Sequence, residues 1–318
     1  MLYKILLYPA RLMIHFYCRS IIYNNKNLLK EPGPLLIAAS HPNSFLDAII
    51  LATLFKKPVY SLARGDAFKG KFVTKILASL KMLPVYRISE GAQNLDNNYF
   101  TFDACRNLFS KGGIVLIFSE GRCINEWHLR PIKKGTARLA LSAWNREIPL
   151  KILPLGINYS SFRMFGKNMV LNFGNIITKN DITENQSHGK AVNEFTAKLQ
   201  QELEGLVFEI DKNDTGTLKK YFYVPQSFLK RLFIFIPAMA GYIFHFPLYY
   251  LIDLFIRNKA GDHYDSIMTG LLFFLYPLYV LIVTLIVYYH TGNTPAFFLL
   301  PGIPLTALCL LHFKKQVR

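Results

Sequence analysis

The stretch "SHPNSFLD", residues 40–47, sets a histidine and an aspartate six positions apart at the mouth of an apolar run. An imidazole held by a carboxylate can move a proton. The carboxylate fixes one ring nitrogen, and the other takes the proton of a nucleophilic hydroxyl. Asn43 and Ser44 are good helix N-caps, so the spacing predicts a helix start there, with Asp47 in its first turn where the helix dipole favours negative charge. His41 then lies in the preceding loop. The pair is two-thirds of a serine-protease triad, with the hydroxyl supplied by a substrate instead of an enzyme serine. Alone, it is better explained by a helix cap beside a satisfied loop histidine.

Two further stretches carry chemistry. Arg87 follows the apolar run "LPVY", and an arginine emerging at a strand end can hold a phosphate bidentately; an ordinary surface arginine is the plain alternative. The run "IVLIF" leads into Ser119, Glu120 and Gly121, then into a basic segment holding Arg122, Arg130, Lys133, Lys134 and Arg138. Gly121 allows backbone conformations closed to other residues, so this loop can approach a ligand closely. Glu120 would orient a substrate hydroxyl or a neighbouring cation. The alternative is a solvated basic loop facing anionic lipid. A fourth apolar run, "ILPLGINY", contains Pro154, which suggests an edge or a bend.

Stepping outward, apolar runs at 34–40, 58–64, 82–87, 112–121 and 150–159 read as strands, with helical stretches between them at 44–55, 71–80, 94–110 and 135–145. Strands alternating with helices predict an α/β fold, with a largely parallel or mixed sheet flanked by helices. In such sheets, sites form where strands end and loops begin. Residues 178–229 are polar, partly helical over 190–210, with a loop at "DKNDTGT".

In order, "HPNSFLD", "LPVYR", "FSEGRC" and "ILPLGI" resemble the four sequence blocks of the glycerolipid acyltransferase family, which includes 1-acylglycerol-3-phosphate acyltransferases. The resemblance covers about residues 30–175. It implies transfer of a fatty acyl group from acyl-CoA or acyl-ACP to the hydroxyl of a glycerol phosphate or lysophospholipid, such as glycerol 3-phosphate or lysophosphatidate, in phospholipid synthesis. It also implies His41 as general base, Asp47 as its orienting partner and Arg87 as the grip on the acceptor phosphate, with Lys133, Lys134 and Arg138 as helpers. Glu120, Gly121 and Arg122 would shape the acceptor pocket. No metal or bound cofactor is implied. There are two departures from the family pattern. Five residues separate His41 from Asp47 where four are usual, a spacing that resembles a branch related to glycerol-3-phosphate and dihydroxyacetone-phosphate acyltransferases. The third block has Ser119 in place of proline and "RCINE", residues 122–126, where threonine-arginine-serine is usual.

The chain of 318 residues is 52% hydrophobic and carries a formal charge of +17. Residues 231–318 hold six Lys/Arg and three Asp/Glu, which leaves +14 in residues 1–230. A nucleic-acid partner would explain the charge but not a greasy tail; an anionic membrane surface explains both. Residues 1–29 read as N-terminal amphipathic membrane-associating helices, with Lys4, Arg11 and Arg19 near one face and Pro9 kinking or dividing them. A helix packed on its own domain is the alternative. Residues 30–229 form the expected acyltransferase domain. Residues 230–318 hold apolar runs at 232–256, 266–289 and 295–313, of which the first two are long enough to cross a bilayer. Pro237, Pro247 and Asp253 suggest a broken first run. Basic flanks at both ends of this region favour a two-crossing hairpin plus a short third element, with the catalytic domain on the cytoplasmic face. The scattered cysteines 18, 105, 123 and 309 give no zinc or disulfide spacing, and no GxSxG marks a serine lipase. A transporter subunit, or a lipid-binding protein that keeps the fold without the activity, are the rival classes.

Overall fold

The computed structural model describes residues 2–86, 97–184 and 186–317. Seven strands form one mixed sheet: β1 (Cys18–Tyr23), β2 (Leu35–Ala39), β3 (Val59–Arg64), β4 (Met82–Val85), β5 (Ile114–Phe118), β6 (Lys151–Tyr159) and β7 (Lys167–Phe173), in the order β1-β7-β6-β2-β5-β3-β4. The five from β6 to β4 run parallel, β7 runs antiparallel to β6, and β1 runs parallel to β7.

The central strands are continuous apolar runs because both their faces are covered. Every residue of β2 is buried, and alternate side chains divide between two layers. Leu35, Ile37 and Ala39 pack with Leu46, Ile50 and Leu51 of α2 (Ser44–Leu54). Leu36 and Ala38 pack on the other face with Leu139, Ala140 and Ala143 of α5 (Gly135–Trp144) and with Phe195 and Leu199 of α6 (His188–Glu204). Right-handed crossovers explain this division. The chain steps outward from β2 to β3 to β4 through α2 and α3 (Lys71–Ser79), then returns to β5 and β6 through α4 (Asn97–Phe109) and α5. The helices that follow adjacent β2 and β5 therefore lie on opposite faces, which makes the carboxyl ends of these two strands the switch point of the sheet.

Residues 2–17 form a single helix, α1 (Leu2–Tyr17), with Pro9 inside it rather than dividing it. It packs on the core through Ile14 and Tyr17 while Ile5, Tyr8 and Leu12 face outward. Residues 18–23, expected to continue the amphipathic helices, are instead β1. Arg19, read as the third member of a basic stripe, is buried. Its guanidinium donates to the Leu311 carbonyl at 2.9 and 2.6 Å and to the Lys314 carbonyl at 2.6 Å. Strand β7 also escapes the sequence reading, because its polar Lys167 and Asn168 are buried only through tertiary partners. Within "DKNDTGT", Asp214 accepts from the Thr217 amide at 2.9 Å and starts α7 (Thr215–Phe222).

The C-terminal region holds α8 (Phe228–Ile256), α9 (Tyr264–Thr291) and α10 (Leu299–Phe313). α8 is continuous, with Pro237 and Pro247 inside it, where a broken run was expected. The third apolar run is also longer than a short element: Thr294–Phe313 spans 20 residues, and among the described residues three helical segments are long and apolar enough to cross a membrane. α10 packs antiparallel along α8, with Phe313 against Phe235 and Thr306 beside His245 and Gly241. Ile252 and Ile256 of α8 and Tyr264 and Met268 of α9 enter the same core layer as α2. The apolar helices are thus joined to the sheet domain.

Candidate active site

β2 ends just before His41 and β5 just before Glu120, which brings the two residues together at the switch point of the sheet. His41 Nδ1 lies 3.0 Å from Asp47 Oδ2, although the residues are separated by a turn. The helix begins at Ser44, whose φ of +52° turns the chain sharply, and this is how the five-residue spacing is accommodated. Asp47 is fully buried and receives three donors. Besides His41, the Asn43 amide donates to Oδ2 at 2.8 Å and the Tyr159 hydroxyl to Oδ1 at 2.7 Å. With the carboxylate accepting, Nδ1 carries the proton and Nε2 keeps its lone pair for a substrate. The ring stacks on Phe118 with centroids 3.7 Å apart and planes 12° apart, which restricts rotation out of the working plane. Its side chain is 15% exposed, so a substrate can reach it.

Glu120 stands just past the end of β5, beside His41. Its Oε1 accepts the His41 backbone amide at 2.7 Å, tying the third block to the first. Burial pushes its carboxyl up to about 7, an effect opposed by the His41 and Arg130 amides that bond it. Gly121 has φ +69°, and a Cβ there would lie 3.2 Å from Lys133 Cγ. The turn therefore favours glycine for its backbone, and a Cβ would only require the lysine side chain to give by a few tenths of an ångström. The Lys133 amide donates to the Ser119 carbonyl at 2.7 Å. Lys134 occupies the N-cap position of α5 and Arg138 follows one turn later. The side chains of Arg122, Lys133, Lys134 and Arg138 are exposed. Among the described residues, no hydrogen bond or ion pair engages them. Arg87 lies outside the described residues. β4 ends just before it, and the Tyr86 backbone is fixed by Asn98 at 2.8 and 2.9 Å.

The expected cap is replaced. Asn43 stands at the N-cap position but its side chain makes no capping bond; it donates to Asp265 Oδ2 at 2.8 Å. Ser266 of α9 caps the helix from outside, accepting the Leu46 amide at 3.0 Å. The Ser44 amide donates to Cys123 Sγ at 2.9 Å. Tyr159 was overlooked, though a signal existed: alternation along β6 puts Leu153, Leu155, Ile157 and Tyr159 on the α2 face. Asp265 and Ser266 gave none, since an acid before an apolar run reads as an ordinary helix end.

Residues 20–158 match the family model described as Acyltransferase. An uncharacterized acyltransferase of Schizosaccharomyces pombe is 28% identical over 109 residues, which is 34% of this chain and only 15% of that protein. The crystal structure of the 1-acyl-sn-glycerophosphate (LPA) acyltransferase PlsC from Thermotoga maritima aligns with a TM-score of 0.42 at 13% identity, over 64% of this chain and 82% of that one. The matched segment, less than half of the chain, carries the four blocks that resemble those of the glycerolipid acyltransferases.

Proposed function

We propose that the protein transfers a fatty acyl group from the thioester of acyl-CoA or acyl-ACP to the hydroxyl of a glycerol phosphate or lysophospholipid, with glycerol 3-phosphate and lysophosphatidate as the leading acceptors, in phospholipid synthesis. The observation that carries this reading is the His41–Asp47 contact of 3.0 Å at the carboxyl ends of β2 and β5, with no hydrogen-bond partner at the far ring nitrogen among the described residues. Nε2 takes the acceptor hydroxyl's proton as its oxygen attacks the thioester carbonyl. The carbon–sulfur bond then breaks, and the imidazolium returns the proton to the leaving thiolate. Asp47 stabilises the imidazolium between these steps. Arg87 is assigned the acceptor phosphate, with Arg122, Lys133, Lys134 and Arg138 supplying further positive charge around Gly121.

We place this chemistry at an anionic bilayer, with the catalytic domain facing the cytoplasm. The three apolar helices support membrane association. So does α3, which buries none of its residues and turns Phe72 (76% exposed), Val73 and Ile76 outward beside exposed Lys69, Lys71 and Lys75. Its crossover sense puts it on the same face of the sheet as α2. The deciding experiment is a matrix of purified full-length protein with acyl-CoA and acyl-ACP against glycerol 3-phosphate, lysophosphatidate and other lysolipids. Acceptor-dependent thiol release in one pairing is expected. Lipid binding without thiol release in any pairing would overturn the reading and leave a non-catalytic lipid-binding protein.

A further inference from the structure

We propose that the start of α9 is a positioning element of the active site. Asp265 and Ser266 hold the turn between His41 and Asp47 in its working shape, so the membrane helices complete the catalytic domain as well as anchor it. The inference rests on the acyl-transfer reading for its kinetic test only.

The geometry is dense and converges on one turn. Ser266 Oγ accepts the Leu46 amide at 3.0 Å and donates to the Asn43 carbonyl at 3.2 Å, so one hydroxyl brackets the start of α2. Asn43 in turn gives its amide to Asp47 Oδ2, the oxygen that holds His41. From α9 to the dyad there is one intervening residue. Asp265 is wholly buried. It accepts the Tyr17 hydroxyl at 2.7 Å and Asn43 Nδ2 at 2.8 Å, and it forms an ion pair with Lys167, also wholly buried. Breaking a buried pair by removing one charge is far more disruptive than losing an exposed one, so this anchor is stiff. It binds α1, β7 and the catalytic turn to α9 at a single carboxylate.

Both departures from the family pattern face this same point. The longer spacing between His41 and Asp47 puts Ser44 at φ +52°, a conformation a serine adopts only where surroundings enforce it. Its hydroxyl meets His263 Nδ1 at 2.6 Å and its amide meets Cys123 Sγ at 2.9 Å. Cys123 lies in the divergent part of the third block, and so does Asn125. The Asn125 side chain donates to the Pro42 carbonyl at 2.7 Å and to the Asp262 carbonyl at 3.1 Å, and its amide donates to Asp262 Oδ1 at 3.2 Å. Residues 262–266 therefore clamp the first and third blocks together. Ser44, Cys123 and Asn125 form one unit with the helix start.

The test uses full-length Ser266→Ala, Ser266→Thr and Asp265→Asn in detergent. It measures melting temperature, steady-state kinetics and amide hydrogen exchange over residues 41–47. A displacement of about 1 Å at a reacting group can cost about a hundredfold, so Ser266→Ala should lower kcat at least tenfold. KM for donor and acceptor should stay within about threefold, because the interaction acts on the transition state and not on binding. Ser266→Thr keeps the hydroxyl and should retain wild-type kcat. Exchange over 41–47 should rise in Ser266→Ala and not in Ser266→Thr. Asp265→Asn should exceed Ser266→Ala in both effects; if it does not fold, the Ser266 pair alone decides, since it strands no charge. Wild-type kcat and wild-type exchange in folded Ser266→Ala would overturn the proposal, as would failure of threonine to rescue. If the wild-type protein transfers no acyl group, the functional reading fails. The exchange data then decide the positioning claim independently.

Discussion

At the scale of residues, the site is a histidine made directional by what surrounds its aspartate. Asp47 is buried and accepts from three donors, so each is worth more than an exposed hydrogen bond. Tyr159→Phe removes one without altering the shape of the site. It should cost about 1.5–3 kcal/mol of stability and about tenfold in kcat, checked by thermal melting and steady-state assay; unchanged kcat would show that Tyr159 only fills space. Glu120 gives a pH-dependent prediction. Its folded pKa of about 7 lies above the ordinary 4.5, so its contribution to stability is whole below about pH 4.5 and is lost as pH rises through about 7. The full loss amounts to about 3 kcal/mol. Gln at position 120 can still accept the His41 amide but cannot ionise. The melting temperature of Glu120→Gln should therefore gain on wild type between pH 5 and pH 8, and a constant difference would refute the burial argument. The sequence made the dyad legible through residue type and spacing. It did not reveal Glu120's bond to the His41 amide, because a contact between groups 79 positions apart leaves no local trace.

At the scale of elements, what was legible followed from burial. Strands covered on both faces read as unbroken apolar runs, and β2, β5 and β6 fell where expected. β1 and β7 did not, because Arg19, Lys167 and Asn168 break the pattern and are tolerated only by partners far along the chain. Proline was also misleading: Pro9, Pro237 and Pro247 all lie within continuous helices. In apolar surroundings neighbouring groups can re-satisfy the freed carbonyls. The packing of α8 on α10 depends on a small residue at the contact. A Cβ on Gly241 would lie 2.5 Å from the Thr306 carbonyl oxygen, whereas one on Gly270 of α9 would meet nothing within 4 Å. Gly241→Ala should then cost about 1–3 kcal/mol through overpacking, while Gly270→Ala should leave stability unchanged or raise it. Equal melting temperatures for the two variants would contradict the close contact.

At the scale of the whole molecule, a basic sheet domain and an apolar helical region divide the charge and the grease, and composition alone showed that division. Composition could not show that the two parts meet at the catalytic turn, since residues 41–47 and 262–266 are brought together only by the fold. A bilayer-bound acyl acceptor needs both parts: a proton-transferring dyad and a surface that delivers lipid to it. The most direct measurement compares acceptor-dependent thiol release by purified wild-type protein and by His41→Ala, in the same lipid–detergent micelles and with melting recorded for both. The account predicts release that depends on a glycerol phosphate or lysophospholipid and falls by about 10²–10⁴ in the variant, with melting unchanged. A folded His41→Ala protein releasing thiol at the wild-type rate would contradict it.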